Sequence, residues 1–143
     1  MSAGERVVET PLRVRYSETD RMGIVYHGAY VSWFEVGRTE YCRAAGFPYR
    51  RMEDSGLLIL VTRVDCAYRR PARYDDRVVV KTRLTDLATR GLAFAYEVAE
   101  EGGRRLADGS TRHVFADSSG KPTRAPAEIF RKLETFRGGP IRD

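Results

Sequence analysis

One segment, residues 27–45, has the apolar spacing of a long amphipathic helix, and it limits what the rest of the chain can form. Its apolar residues recur at helical intervals and share one stripe, which consists of Tyr30, Trp33, Phe34, Gly37, Tyr41 and Ala44. Gly46 is suited to end this helix, and Pro48 discourages its continuation. A helix with this much aromatic surface on one side has to be covered by another layer.

That layer is predicted to be a sheet, because apolar and polar residues alternate along most of the remaining chain. The alternation predicts strands over residues 10–16, 57–69, 77–84, 92–99 and 105–116, and a short helix over 126–136. In the second strand, one face is predicted to carry Leu60, Val64, Cys66 and Tyr68. Short turns between the last four strands favour antiparallel meander pairing. We therefore predict one α+β domain, residues 1–143 with a core at about 10–136, whose curled sheet surrounds the long helix.

Composition excludes several classes of protein. No apolar run approaches the ~20 residues of a membrane span. The first residues lack an apolar signal core, so a cytoplasmic location is predicted. Cys42 and Cys66 are widely spaced and have no cluster of metal ligands near them in the sequence. We interpret them as buried thiols rather than as a disulfide or a zinc site, and no metal is expected.

The formal net charge of +5 favours an acidic partner. Nucleic acid, a phosphorylated cofactor and an acidic carrier protein all fit that charge. The basic residues are scattered rather than clustered with aromatics, and no nucleic-acid recognition module is present in the sequence, so nucleic acid is the weakest of the three.

The stretch from residue 16 to residue 30 carries the strongest chemical signal. Asp20 lies in a loop bounded by Gly23, where backbone can approach a ligand closely. Tyr16 precedes this carboxylate at a predicted strand end, and the imidazole of His27 follows it at the helix start. The first backbone N–H groups of that helix have no intrahelical acceptor, and they are those of Tyr26, His27 and Gly28. A carboxylate that faces free N–H donors suits acyl chemistry. The other histidine, His113, alternates with strand residues and is interpreted as structural.

These residues also form a recognisable motif. The run Tyr16-x-x-x-Asp20-x-x-Gly23-x-Val25-Tyr26-His27-x-x-Tyr30, followed by Phe34-Glu35-x-x-Arg38-Thr39-Glu40, resembles the hotdog-fold acyl-CoA thioesterases. The nearest branch is the 4-hydroxybenzoyl-CoA thioesterase-like group that includes the Tol–Pal-associated enzymes. The stretch from Tyr68 to Asp76 and the turn Gly120-Lys121-Pro122 are similar to that group as well. The resemblance covers about residues 10–130.

The resemblance implies a role for each matching residue. Asp20 matches the catalytic aspartate, which acts as nucleophile or as general base towards water. His27 and Tyr16 match the assisting histidine and tyrosine, and the N–H groups near Tyr26 and His27 match the oxyanion donor. The family's long helix is wrapped by an antiparallel sheet. Two subunits pair edge to edge with active sites at their interface, and many members are tetramers.

The expected function is hydrolysis of an acyl-CoA thioester to a carboxylic acid and free coenzyme A, without a metal or redox cofactor. The coenzyme carries phosphates, and five basic residues are candidates to bind them, namely Arg69, Arg70, Arg73, Lys121 and Arg124. Two alternatives stay open at this point. The substrate can be an acyl group on an acyl carrier protein, or the domain can be a non-catalytic acyl-CoA-binding module, because a fold does not determine a function.

Overall fold

The predicted long helix lies on the inner face of a curled five-stranded antiparallel sheet in the computed structural model, which describes residues 5–138. The helices are α1 (Ala29–Ala44), α2 (Tyr49–Asp54) and α3 (Ala127–Arg137). The strands are β1 (Val8–Arg13), β2 (Leu58–Tyr68), β3 (Arg77–Leu87), β4 (Gly91–Glu100) and β5 (Arg105–Ala116). The predicted hotdog architecture is confirmed. The ends of the predicted domain, residues 1–4 and 139–143, lie outside the described residues.

The strand order is β1-β3-β4-β5-β2, so only β3, β4 and β5 form the meander. The prediction that β2 joins this meander as the neighbour of β3 was wrong, because β2 pairs with β5 at the opposite edge. The connection between β2 and β3 does not fold back as a hairpin. It crosses the end of the sheet, where the carbonyls of Ala72 and Asp76 accept hydrogen bonds from the N–H groups of Val25 and Val14 at 2.8 and 2.9 Å.

The aromatic stripe of α1 forms the centre of the core. Trp33, Phe34 and Tyr41 are almost completely buried, and the ring of Phe34 stacks on Tyr96 of β4 with 4.3 Å between centroids. The burial of each large apolar side chain of this kind stabilises the fold by roughly 1.5–3 kcal/mol. The predicted core packing of the aromatic residues in this stripe is confirmed, whereas Ala44 at the end of the stripe is exposed.

Two glycines allow α1 to lie directly against the sheet. A Cβ atom at Gly37 of α1 would collide with Oγ1 of Thr82 on β3. A Cβ atom at Gly109 of β5 would collide with the ring of Phe34. The helix and the sheet are therefore in contact through backbone at two points, and any larger residue would have to push them apart.

The inner face of β2 changes its register at a bulge. Residues directly opposite each other share a face, and the register shifts between Val61 and Arg63. Val61 lies opposite His113 on the inner face, whereas Leu60 lies opposite Val114 on the outer face. The prediction that Leu60 shares a face with Val64, Cys66 and Tyr68 was wrong, because it assumed an uninterrupted period of two.

The end of β1 also differs from the prediction, which extended the strand to Tyr16. The strand ends at Arg13, and Tyr16–Glu18 forms a single 3-10 turn. The reason is local: the Glu18 carboxylate accepts the N–H of Arg15 at 2.7 Å and closes the turn. None of the helices described within residues 5–138 is both long enough and apolar enough to cross a membrane.

Candidate active site

Asp20 lies at the first corner of a tight hairpin loop. Its N–H donates to the carbonyl of Ile24 at 2.9 Å, and its own carbonyl accepts the N–H of Gly23 at 3.0 Å. Gly23 has a φ of +79°, a left-handed conformation that favours glycine. A bridge between Thr19 and Val25 closes the loop. Asp20 is therefore held by backbone on both sides.

The Asp20 side chain opens into a cavity of about 320 Å³. One carboxylate oxygen, Oδ1, accepts the N–H of Met22 at 2.9 Å, while the other has no hydrogen-bond partner within the described residues. The cavity wall also contains His27, Tyr30 and Tyr68. The structure thus places the predicted carboxylate and the predicted imidazole in one apolar-walled space.

Free backbone N–H groups remain at the start of α1. The N–H groups of His27 and Gly28 donate to no backbone carbonyl within residues 5–138, in line with the expectation for a helix N-terminus. Tyr26 differs from the prediction, because its N–H donates to the carbonyl of Glu18 at 2.8 Å. That hydrogen bond removes Tyr26 from the predicted set of three oxyanion donors and leaves His27 and Gly28.

The His27 ring is exposed and flanked by aromatic rings. It lies 4.3 Å from the Tyr26 ring, centroid to centroid, and its edge faces Tyr68 at 6.4 Å. The Tyr68 hydroxyl donates to the backbone carbonyl of His27 at 2.9 Å. The peptide unit that precedes α1 is therefore anchored to the end of β2.

Tyr16 is not brought to this cavity within a single chain. Its side chain is 77% exposed, and its ring contacts Tyr74 edge to face with 5.7 Å between centroids. Its predicted assisting role is untested by this geometry and stays a prediction.

The five predicted phosphate-binding residues are all exposed, and they fall into two groups. Arg69, Arg70 and Arg73 follow the end of β2, and both Arg69 and Arg70 line the cavity. Arg69 is already committed to Asp108, whose Oδ2 atom lies 2.9 and 2.6 Å from its Nε and Nη2 atoms. Lys121 and Arg124 follow β5, whose last residue pairs with the first residue of β2. The two groups thus lie at opposite ends of β2.

His113 is buried on the inner face of β5 and bonds to Thr111, with 2.8 Å between Nε2 and Oγ1. Burial, with a smaller contribution from the charge of Arg38, lowers the pKa of His113 to about 4. Its interpretation as a structural residue agrees with this position. Both cysteines are free thiols, and burial raises the pKa of Cys42 to about 12. No cluster of metal-ligating side chains was found in the part of the chain that the structure describes.

Sequence reasoning missed two side chains that support the site. Tyr68 was predicted only as a strand-face residue and as part of a motif, and Glu18 was assigned no role. Each acts through a partner that is distant along the chain: Tyr68 bonds to residue 27, and Glu18 bonds to the indole of Trp33. The spacing of the residues carries no signal for either contact.

Comparison with known proteins agrees with this arrangement. Residues 14–133 match the family model described as the thioesterase-like superfamily. The acyl-CoA thioester hydrolase YbgC of Escherichia coli is 30% identical over 125 residues, which cover 87% of this chain and 93% of that protein.

Solved structures are similar over nearly the whole chain. A hypothetical protein from Thermus thermophilus is 40% identical with a TM-score of 0.85, and the match covers 88% of this chain and 96% of that one. The DHNA-CoA thioesterase from Staphylococcus aureus is 32% identical with a TM-score of 0.84, and the match covers 90% and 91%. The chain belongs to the thioesterase-like superfamily, and the predicted class of enzyme, a thioester hydrolase, is confirmed.

Proposed function

We propose that this protein hydrolyses acyl-CoA thioesters to a carboxylic acid and free coenzyme A. The observation that carries the proposal is that Asp20 and His27 share one cavity at the start of α1, where the N–H groups of His27 and Gly28 are free. The activity named for the Escherichia coli and Staphylococcus aureus relatives supports it.

The geometry suits acyl transfer to water. A thioester carbonyl that points at the N–H groups of His27 and Gly28 gains hydrogen bonds as negative charge develops on its oxygen. Asp20 either attacks the carbonyl carbon or removes a proton from an attacking water. The carbon–sulfur bond then breaks, and His27 is proposed to supply a proton to the departing thiolate. Where Asp20 has attacked the carbon, water then hydrolyses the acyl–Asp20 anhydride, which releases the carboxylic acid and restores the carboxylate. Tyr16 is proposed to assist by orienting a reacting group or by transferring a proton. The proposed reaction requires no metal or redox cofactor.

We further propose that the working unit pairs two chains through their β2 edges. One side of β2 is hydrogen-bonded to β5, and the other has no strand beside it within the described residues. This edge carries Leu60, Val61, Val64 and Tyr68, which are 39–49% exposed. A long exposed apolar edge strand is a template for pairing with another chain.

An antiparallel pair of β2 strands would also bring the two groups of predicted phosphate-binding residues together, one group from each chain. β2 has eleven residues and is about 33 Å long. The start of the partner's β2 would lie beside the end of this chain's β2. Lys121 and Arg124 of one copy would then approach the cavity that Asp20 and Arg70 line in the other copy. The coenzyme phosphates are therefore proposed to bind across the interface. The free thiols agree with the reducing environment of the cytoplasm, where we place the protein.

The main test of the proposed function is Asp20→Asn, which removes the negative charge and keeps the shape. Thiol release from a panel of acyl-CoA substrates should fall by at least about 100-fold, while the melting temperature stays close to that of wild type. Asp86→Asn is the matched control, because Asp86 lies on β3 and pairs with the exposed Arg112. Wild-type rates in Asp20→Asn would exclude the mechanism.

The shared site has its own test. A mixed dimer of Asp20→Asn with the double variant Lys121→Ala/Arg124→Ala contains one site with Asp20 and both basic residues, if the basic residues act on the partner's cavity. It should recover about half of the wild-type activity. Without such sharing, neither site of the mixed dimer is complete. Sedimentation velocity of the wild type distinguishes the dimer from a tetramer.

A second candidate substrate is an acyl group on a carrier protein. The observation in its favour is that Arg70 and Arg73 are exposed near the cavity and form no ion pair within residues 5–138. Rates on matched acyl-CoA and acyl-carrier substrates separate the two. Tight binding of the CoA ester without thiol release would instead indicate the non-catalytic module.

A further inference from the structure

The Glu18 carboxylate connects the loop that carries Asp20 to the body of α1. Its Oε2 atom accepts the indole N–H of Trp33 at 2.9 Å, and its Oε1 atom accepts the backbone N–H of Arg15 at 2.7 Å. The Arg15 guanidinium adds an ion pair at 3.3 Å. The Glu18 side chain is only 10% exposed, so these contacts are largely shielded from water.

Trp33 gives this contact a rigid anchor. Its side chain is 2% exposed and packs in the core on the first turns of α1. The indole has a single polar atom, which is a donor, and leaving it unpaired in the interior costs about 1–3 kcal/mol. The buried hydrogen bond to Glu18 therefore holds the Asp20 loop against α1.

The backbone of Glu18 makes a second connection to the same site. Its carbonyl accepts the N–H of Tyr26, the residue that precedes His27. Asp20 follows Glu18 by two residues. Glu18 is consequently bonded through its side chain to the helix and through its carbonyl to the segment that precedes the free N–H groups.

We propose that Glu18 is a positioning residue, which sets the placement of the Asp20 carboxylate against the N–H groups of His27 and Gly28. The proposal rests on the proposed function. Both carboxylate oxygens accept hydrogen bonds, which favours the ionised form. Burial alone would raise the pKa of Glu18, but the hydrogen bonds from Arg15 and Trp33 and the Arg15 charge outweigh it and lower the pKa.

The first experiment is Glu18→Gln, which keeps the length of the side chain but offers one acceptor oxygen in place of two. We expect kcat to fall about tenfold with KM within about twofold, because misplaced reacting groups lower the rate without weakening substrate contacts made elsewhere. Glu18→Asp, which restores the charge, should recover part of kcat. Glu40→Gln is the matched control. Glu40 is on α1, as Trp33 is, but it forms an ion pair with Arg43 instead of a contact with the loop.

A double-mutant cycle with Trp33→Phe tests the proposed route. Phenylalanine keeps an aromatic ring in the core and removes the donor. The two effects on kcat should overlap, so that the double variant is no slower than the slower single variant by more than about twofold. Fully multiplicative losses would overturn the proposal. So would a Glu18→Gln variant that loses melting temperature but keeps the wild-type kcat.

Hydrogen exchange provides a measurement that does not depend on activity. The amides of Asp20, Gly23 and Tyr26 are hydrogen-bonded in the loop, and Glu18→Gln should make them exchange at least about fivefold faster while α3 is unchanged. Unchanged exchange would overturn the proposal. A wild-type protein that releases no thiol from any acyl-CoA would refute the proposed function, whereas the exchange result still decides the role of Glu18 in holding the loop.

Discussion

The two edges of the sheet are built differently. β1 has six residues, and it presents Glu9, Pro11 and Arg13 on its exposed side. β2 has eleven residues, contains no proline and leaves Val61 and Val64 more than 40% exposed. Proline lacks a donor, and charged side chains disfavour strand addition, so β1 is protected against pairing, whereas β2 is not.

This difference separates the edge that is protected within a single chain from the edge that remains exposed for pairing. On the side of the sheet near β1, α1 packs against β1 and β3, and α3 packs against β3. The side near β2 carries the candidate active site and three of the predicted basic residues at one end, and Lys121 and Arg124 at the other. The unprotected edge and the candidate site thus lie on the same strand, as the proposed sharing of the site between two chains requires.

Charging the β2 edge should have the largest effect. The double variant Val61→Lys/Val64→Lys adds four positive charges along the two β2 strands of a two-fold pair, and thiol release should fall by more than about 100-fold as the dimer dissociates. Sedimentation velocity and thiol release measure both effects. Glu9→Lys/Pro11→Lys, the corresponding change on β1, should leave mass and rate unchanged. An active monomer would contradict the shared site.

The β2 side should also be the acid-sensitive side, because His113 lies beneath it. The native pKa of about 4 is below the ordinary value of 6.5, so the unfolded chain binds a proton that the folded chain does not. Stability should therefore decrease as the pH falls from about 6.5 to about 4, by up to about 3 kcal/mol. Urea unfolding at pH 7 and pH 4.5 measures this loss. His113→Gln should flatten the pH dependence; an unchanged slope would assign it to other groups.

Removing the hydroxyl of Tyr68 should have a moderate effect. Tyr68→Phe deletes the hydrogen bond to the carbonyl of His27 and keeps the ring contacts with His27 and Tyr30. We expect kcat to fall about three- to tenfold, corresponding to about 1 kcal/mol. Tyr74→Phe, at an exposed ring outside the cavity, is the control. Equal rates for both variants would mean that the β2 end does not anchor the helix start.

The smallest effect is expected at the protected edge. Pro11→Val restores a backbone donor to β1, but Glu9 and Arg13 still flank it. The free energy of unfolding should change by less than about 0.5 kcal/mol, and the mass in solution should stay the same. Formation of larger assemblies would show that Pro11 alone protects this edge.

Periodicity predicted the elements better than it predicted their neighbours. The aromatic residues of the α1 stripe and the bounds of β5 agree with the structure, because both depend on local spacing and on burial of one face. The place of β2 beside β5 does not depend on local spacing. It follows from the segment 69–76, which bonds to the loop around residues 14–25 and crosses the sheet end.

The candidate site was predictable in part. Asp20, Gly23 and His27 lie close together in the sequence, so their grouping could be read from one stretch. The loss of Tyr26 as a donor could not, because its N–H is occupied by a carbonyl eight residues earlier. The role of Glu18 could not be predicted for the same reason. It depends on a hydrogen bond to Trp33, and an acidic residue in a turn has many ordinary roles.

The glycine contacts between α1 and the sheet have a consequence for how such an enzyme diversifies. With Gly37 against Thr82 and Gly109 against Phe34, the helix is packed directly on the sheet, which leaves little room to repack it around a larger cavity beside the Asp20 loop. Under the proposed function, new acyl groups would be accommodated by rim residues such as Met22, which lines the cavity and is 76% exposed. Replacing Met22 disturbs little of the core, so an altered range of acyl groups can be selected or engineered there while the framework stays unchanged.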